Sequence, residues 1–139
     1  MVVPLLHGLP LVEVRIGHSD AFRELCERNL DPVPPDITVI DSALVRRLRL
    51  RDRGVCRVRG FDGSLHADPV AREYLNYDIS LVISDAEGVP IVRIGDLQSV
   101  GAPLNCEDYE VLLGLDVLRH CTVTLSFAEE TVEILSACR

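Results

Sequence analysis

The chain has 139 residues, enough for one domain, residues 1–139, that buries roughly two thirds of the surface its unfolded form exposes. Hydrophobic residues make up 47% of it and aromatic residues only 4%, so Val, Leu and Ile must fill the core, which favours β-strands. The formal net charge is −8, and an acidic chain repels phosphate backbones, which argues against nucleic acid as a partner.

The N-terminal segment predicts neither a signal peptide nor a membrane span. It has no basic start, and Pro4, His7, Pro10 and Glu13 interrupt its apolar residues. The five cysteines and four histidines are scattered without the spacing of metal ligands or redox pairs. We therefore expect a cytoplasmic protein with reduced thiols, no membrane partner, no metal and no other cofactor.

Three segments open the chain. Residues 9–16 predict a strand, because Val12, Val14 and Ile16 alternate with charged residues. Residues 20–29 predict a short helix or an irregular excursion. Residues 30–36 contain three prolines, which remove backbone donors and favour extended geometry in the residues before them, so a loop is expected there.

The middle of the chain predicts a short strand followed by a helix. Residues 37–40 form the apolar strand, and Asp41 or Ser42 can then cap a helix that runs to Leu50. The helix would point Leu44, Val45 and Leu48 inward, since these positions share one helical face.

Hairpins account for most of the remaining sequence. Phe61, Asp62 and Gly63 form a turn signal between predicted strands at 55–59 and 64–67. Residues 85–88 connect strands at 77–84 and 89–94, and residues 128–130 connect strands at 122–127 and 131–135. Between these hairpins, 111–113 is apolar and 115–119 predicts one helical turn. We therefore expect a mainly β domain of seven or eight strands with one or two short helices.

Two segments resemble the retropepsin-like aspartic proteases, half-size relatives of pepsin that act as homodimers. They are T-V-I-D-S-A-L-V-R-R-L at 38–48 and V-L-L-G-L-D-V-L-R-H at 111–120. The resemblance covers residues 10–135 and implies a closed, barrel-like acid protease fold and a homodimer. It also implies that Gly114 and Asp116 form a structural signature beneath the active-site loop, and that residues 61–63 form the tip of a flap hairpin.

The catalytic motif departs from the family pattern of Asp, Thr or Ser, then Gly. An ungapped alignment puts Pro32, Val33 and Pro34 at these three positions, and leaves Asp31 one residue too early. Aspartic proteolysis needs two carboxylates, one from each subunit, that share a proton. Valine offers no hydroxyl to tie the two loops together, and Pro34 adds bulk and removes a backbone N–H. A weak or inactive peptidase is therefore expected.

Three functions remain open. The first is a dimerising domain that binds an extended peptide or protein segment in the former substrate cleft. The second is an active aspartic endopeptidase that uses Asp31 from each subunit. The third is another small β-barrel or sandwich with an interaction role. Asp31 and the hairpin at 61–63 also have ordinary explanations, as a turn residue before proline and as a surface hairpin.

Overall fold

A computed structural model describes residues 1–20, 32–33, 37–58 and 72–137, with the side chains of Pro32, Val33, Val58 and Arg72 left out. In these ranges the chain is mainly β, as predicted, with two short helices. The strands are β1 (Val2–Leu6), β2 (Leu9–Pro10), β3 (Val14–His18), β4 (Pro32–Val33), β5 (Thr38–Asp41), β6 (Asp52–Val58), β7 (Arg72–Ser84), β8 (Pro90–Ala102), β9 (Val111–Leu112), β10 (Cys121–Ser126) and β11 (Thr131–Ser136), and the helices are α1 (Ser42–Leu48) and α2 (Leu115–Leu118).

Seven strands form one curled, half-barrel sheet in the order β4-β6-β7-β8-β5-β9, with β3 also paired to β7. Strands β7 and β8 are 13 residues long and form an antiparallel hairpin. The first half of β7 pairs with β6 and the second half with β3. Strand β5 runs parallel to β8 and antiparallel to β9, so it lies between the two.

The core lies against this sheet and is aliphatic, as the composition predicts. Ile79, Leu81 and Ile83 alternate along β7 and are fully buried. They pack with residues of β8, β5 and both helices, because alternate residues of a strand share one face. The other buried members of this cluster are Ile40, Leu44, Val45, Tyr77, Val92, Leu97 and Val117.

A second, four-stranded sheet has the order β10-β11-β1-β2. Its strand β1 was not predicted, and the single strand expected at 9–16 is divided into β2 and β3. Residues 9 and 10 pair with β1 across the turn at His7 and Gly8, whose φ angles of 51° and 77° suit a tight hairpin, whereas Val14–His18 pair with β7 in the other sheet. The predicted alternation survives in β3, where Val14 and Ile16 are half-buried and Arg15 is exposed.

The loop expected at 30–36 is wrong for Pro32 and Val33, which form β4 and pair in parallel with the end of β6. Proline fits here because β4 lies at the edge of the sheet, where a missing N–H need not break a ladder. The rest of that loop, the helix expected at 20–29 apart from Asp20, and the predicted strand at 64–67 lie outside the described residues.

The other predicted elements are found, with shifted ends. Helix α1 begins after its N-cap Asp41 and ends at Leu48, two residues earlier than predicted. The hairpin across 85–88 closes with Asp85 N–H donating to Val89 O at 2.9 Å. Its strands extend beyond the predicted 77–84 and 89–94, because residues 72–77 of β7 also pair with β6 and residues 99–102 of β8 also pair with β5.

Candidate functional site

Three hydrogen bonds join the start of β5 to α2 and its N-cap, and a fourth lies within α2. Thr38 is fully buried, and its Oγ1 donates to Asp116 Oδ1 at 2.7 Å while its N–H donates to Asp116 Oδ2 at 2.9 Å. Gly114 N–H donates to Thr38 Oγ1 at 3.0 Å, and Val117 N–H donates to Asp116 Oδ1 at 2.9 Å. We call this set of four residues the Thr38–Asp116 junction. It anchors Thr38, the first residue of β5, to α2.

The junction unites Gly114 and Asp116, the two signature residues, with a residue that the sequence did not single out. Thr38 lies 78 positions from Asp116, so no local pattern connects them. The available signal was a hydroxyl residue in an apolar strand, since a buried hydroxyl needs a hydrogen-bond partner. Asp116 makes structural contacts, but its position beneath an active-site loop stays a prediction.

Asp41 is a second carboxylate with backbone partners. Its Oδ2 accepts from Ala43 N–H at 3.0 Å, which caps α1 as predicted, and its Oδ1 accepts from Leu104 N–H at 2.9 Å. The Leu104 hydrogen bond is the main cause of a pKa lowered from the usual 3.8, and the nearby Arg46 and Arg47 act in the same direction. Asp41 therefore joins α1 to the chain after β8 as an ionised carboxylate.

The segment expected to carry the catalytic motif is described only at β4. Pro32 pairs with Arg57 and Val33 with Val58 in a parallel ladder. This pairing fixes the backbone register of the two residues at the Asp and Thr or Ser positions of the family motif. Asp31, the candidate catalytic residue, and Pro34 lie outside the described residues.

The predicted flap tip, Phe61, Asp62 and Gly63, also lies outside the described residues. The strands on either side of it are described, and they pair antiparallel up to Val58 and Arg72. Residues 59–71 therefore connect the ends of two paired strands. Whether they form a flap stays a prediction.

A mainly apolar groove of about 880 Å³ lies between the four-stranded sheet and the elements β3, α1 and 107–113. Its rim carries the ion pair of Arg47 and Glu110, whose charged atoms are 2.6 Å apart. Buried Val132 and Ile134 line the groove together with partly exposed Val123 and Leu125 of β10. This surface was not predicted, because its walls come from segments that are distant in sequence.

The three cysteines that the structure describes, Cys56, Cys106 and Cys121, are free. Burial raises the pKa of Cys56 and Cys121, which keeps both as thiols at neutral pH. Within the described residues, no three His, Cys, Asp or Glu side chains are grouped so that they could hold a metal ion. No helix in those same ranges combines the length and apolar character needed to cross a membrane.

Comparison with known proteins does not assign the chain to a family. No protein-family model, no curated protein and no solved structure matches it.

Proposed function

We propose that the chain is a retropepsin-like aspartic protease-type domain with weak or no peptidase activity, which forms a homodimer and binds an extended peptide or a segment of a partner protein. The support comes from the arrangement of the two segments that resemble the family. Strand β5, helix α1, strand β9 and helix α2 contain these segments, and the Thr38–Asp116 junction brings the segments into direct contact. Free cysteines suit a reducing compartment, and we propose the cytoplasm.

The pairing of β4 with β6 is the main observation that supports weak or absent peptidase activity. The pairing holds Pro32 and Val33 in a defined register, followed by Thr38 in the junction. To bring Asp31 to the position that Pro32 occupies, the strand must slip by one residue, and such a slip turns each side chain to the opposite face. A misplacement of about 1 Å already costs roughly a hundredfold in rate, so catalysis by Asp31 is unfavourable.

Peptide binding requires less of the motif segment at 31–34 than catalysis does. An extended peptide can add to an exposed strand through backbone hydrogen bonds, and it does not need a pair of carboxylates that share one proton. A cleft between two subunits can therefore keep peptide affinity after its catalytic motif is lost.

The proposal is tested with three forms of the full chain: the wild type, Asp31→Asn, and the triple variant Pro32→Asp, Val33→Thr, Pro34→Gly. Each form is incubated with a library of unstructured peptides at acidic and neutral pH. Cleavage is followed by mass spectrometry, binding by affinity selection, and subunit number by sedimentation.

We expect the wild type to be a dimer that selects peptides without cleaving them, and Asp31→Asn to behave identically. The triple variant restores the three motif residues and should gain cleavage at acidic pH. Wild-type cleavage that Asp31→Asn abolishes would instead establish the active endopeptidase. A wild-type monomer that selects no peptide would refute the proposal and favour an unrelated β domain with an interaction role.

A further inference from the structure

Strand β10 is an edge strand of the four-stranded sheet, and among the described strands it pairs only with β11. It is six residues long, C-T-V-T-L-S, with no charged residue and no proline. An open strand edge presents unpaired N–H and C=O groups to another strand, and proteins usually protect such edges with charge, proline or shortness. Strand β10 has none of these protections.

The other strands at the ends of the two sheets, and β3 beside them, are protected. Strands β2 and β9 are two residues long, and β2 ends in Pro10. Strand β4 is also two residues long and begins with Pro32. Strand β3 carries the exposed Arg15. Of the described strands that end a sheet, β10 is the one built to accept a further strand.

We propose that the second copy of the chain docks on this edge, with β10 of each copy paired antiparallel across a two-fold axis at Thr124. This inference rests on the proposed homodimer and identifies its contact surface. An isologous interface requires a patch that is complementary to itself. Strand β10 meets this requirement, because a centre at Thr124 sets Val123 opposite Leu125 of the second copy and Thr122 opposite Ser126 of the second copy.

The charges that flank β10 favour the antiparallel direction. Arg119 lies just before the strand, and Glu129 and Glu130 lie just after it, all three exposed. Antiparallel pairing brings the basic end of one copy to the acidic end of the other, whereas parallel pairing would set like charges side by side. The uncharged edge also allows approach between chains that each carry a net charge of −8.

The same pairing covers exposed apolar surface. Val123 is 38% and Leu125 45% exposed, and both line the apolar groove. A two-fold axis perpendicular to the sheet keeps these side chains of both copies on one face, so the two grooves meet across the axis. The four-stranded sheet of each copy would then continue into an eight-stranded sheet.

The experiment changes the residue on the axis. Thr124 is exposed and shares a cross-strand row and one face with Glu133 and Val2. Thr124→Arg and Thr124→Glu each place two like charges opposite one another across the axis. Val2→Arg puts the same charge on the same face but two strands away from the edge, at a position that is 60% exposed. Sedimentation equilibrium measures association, and circular dichroism checks the fold of each variant.

We expect the wild type and Val2→Arg to dimerise, and each Thr124 variant to bind itself about tenfold or more weakly. An equimolar mixture of Thr124→Arg and Thr124→Glu should recover dimers, because opposite charges then meet on the axis. That recovery cannot arise from misfolded chains.

Three results would overturn the inference. A Thr124→Arg variant that dimerises as tightly as the wild type refutes the β10 contact but leaves the proposed homodimer intact. A mixture of folded Thr124→Arg and Thr124→Glu that stays monomeric refutes the pairing centred on Thr124. A wild-type monomer refutes the homodimer as well. Peptide selection and restored cleavage are measured separately, so they report on the rest of the proposed function.

Discussion

At the scale of single residues, Asp116 should contribute more to stability than its half-buried position alone would indicate. It accepts three hydrogen bonds, two of them from the fully buried Thr38. Asp116→Ala should lower the free energy of unfolding by about 3 kcal/mol, because buried donors lose a charged acceptor. Urea denaturation measures the loss, and Asp108→Ala, at an exposed position, serves as the control with an expected change within about 0.5 kcal/mol.

The contact between Thr38 and Asp116 can be isolated by a double-mutant cycle. Thr38→Val keeps the shape of the side chain and removes its hydroxyl. Combined with Asp116→Ala, it should show a coupling energy of about 1–2 kcal/mol. Additive effects of the two changes would mean that the 2.7 Å hydrogen bond does not contribute to stability.

Asp41 predicts a dependence of stability on pH. Its native pKa is lowered, chiefly by the Leu104 N–H, so folding stabilises the ionised form. This contribution is complete above the unfolded pKa, near 3.8, and is lost as the pH falls through the native pKa. Asp41→Asn should be less stable than the wild type at pH 7, by under about 1 kcal/mol because the group is solvated.

The difference between Asp41→Asn and the wild type should shrink as the pH falls below 3.8. Chemical denaturation of both proteins across that range measures it. A difference that is constant with pH would show that the loss comes from the shape of the amide and not from the carboxylate charge.

At the scale of elements, the end of α1 offers a simple test of backbone conformation. Arg49 follows the helix with φ of 51° and ψ of 45°, a left-handed conformation that glycine adopts without a Cβ penalty. Arg49→Gly should therefore stabilise the protein by about 0.5 kcal/mol. Arg46→Gly, the same exchange inside the helix, should destabilise it by about 0.8 kcal/mol. Thermal or urea denaturation compares the two variants. If both change the free energy of unfolding in the same direction, the assignment of the helix end is contradicted.

Elements built from local signals could be predicted from the sequence. Helix α1 has a cap and a helical period, and the hairpin between β7 and β8 has a Gly-containing turn. Strand β1 was missed because V-V-P-L-L contains a proline and because its partner is β11, at the far end of the sequence. The second half of β8 was missed because Gly95 and Gly101 weaken the strand pattern, and pairing with β5 at 99–102 stabilises its end, including Gly101.

The same distinction between local sequence signals and tertiary contacts applies to the candidate site. The family resemblance identified Gly114 and Asp116, and the apolar run before Gly114 was visible in the sequence. The partner Thr38, the contact between Asp41 and Leu104, and the groove depend on tertiary packing, so no spacing rule could supply them.

At the scale of the whole molecule, net charge should control the strength of the proposed dimer. Two chains of net charge −8 repel each other, although their β10 edges are uncharged. Raising the ionic strength from about 0.01 M to 0.15 M shortens the Debye length from roughly 30 Å to 8 Å. Sedimentation at the two salt concentrations should show tighter association at the higher one. Weaker association there would mean that flanking attractions, such as Arg119 with Glu129, outweigh the overall repulsion.

The central position of β1 in the four-stranded sheet also constrains how the protein can fold during synthesis. The amino group of Met1 donates to Ile134 O, 133 residues away, and Pro4 of β1 is paired with Thr131 of β11. A ribosome making this chain produces β1 long before β11. Strand β1 therefore stays unpaired, with its apolar side chains exposed, until β11 has been synthesised. Sheet closure is therefore a late and slow step, because distant segments must first meet. Until then, nascent chains are exposed to aggregation, and a chaperone that shields β1 would raise the yield of folded protein.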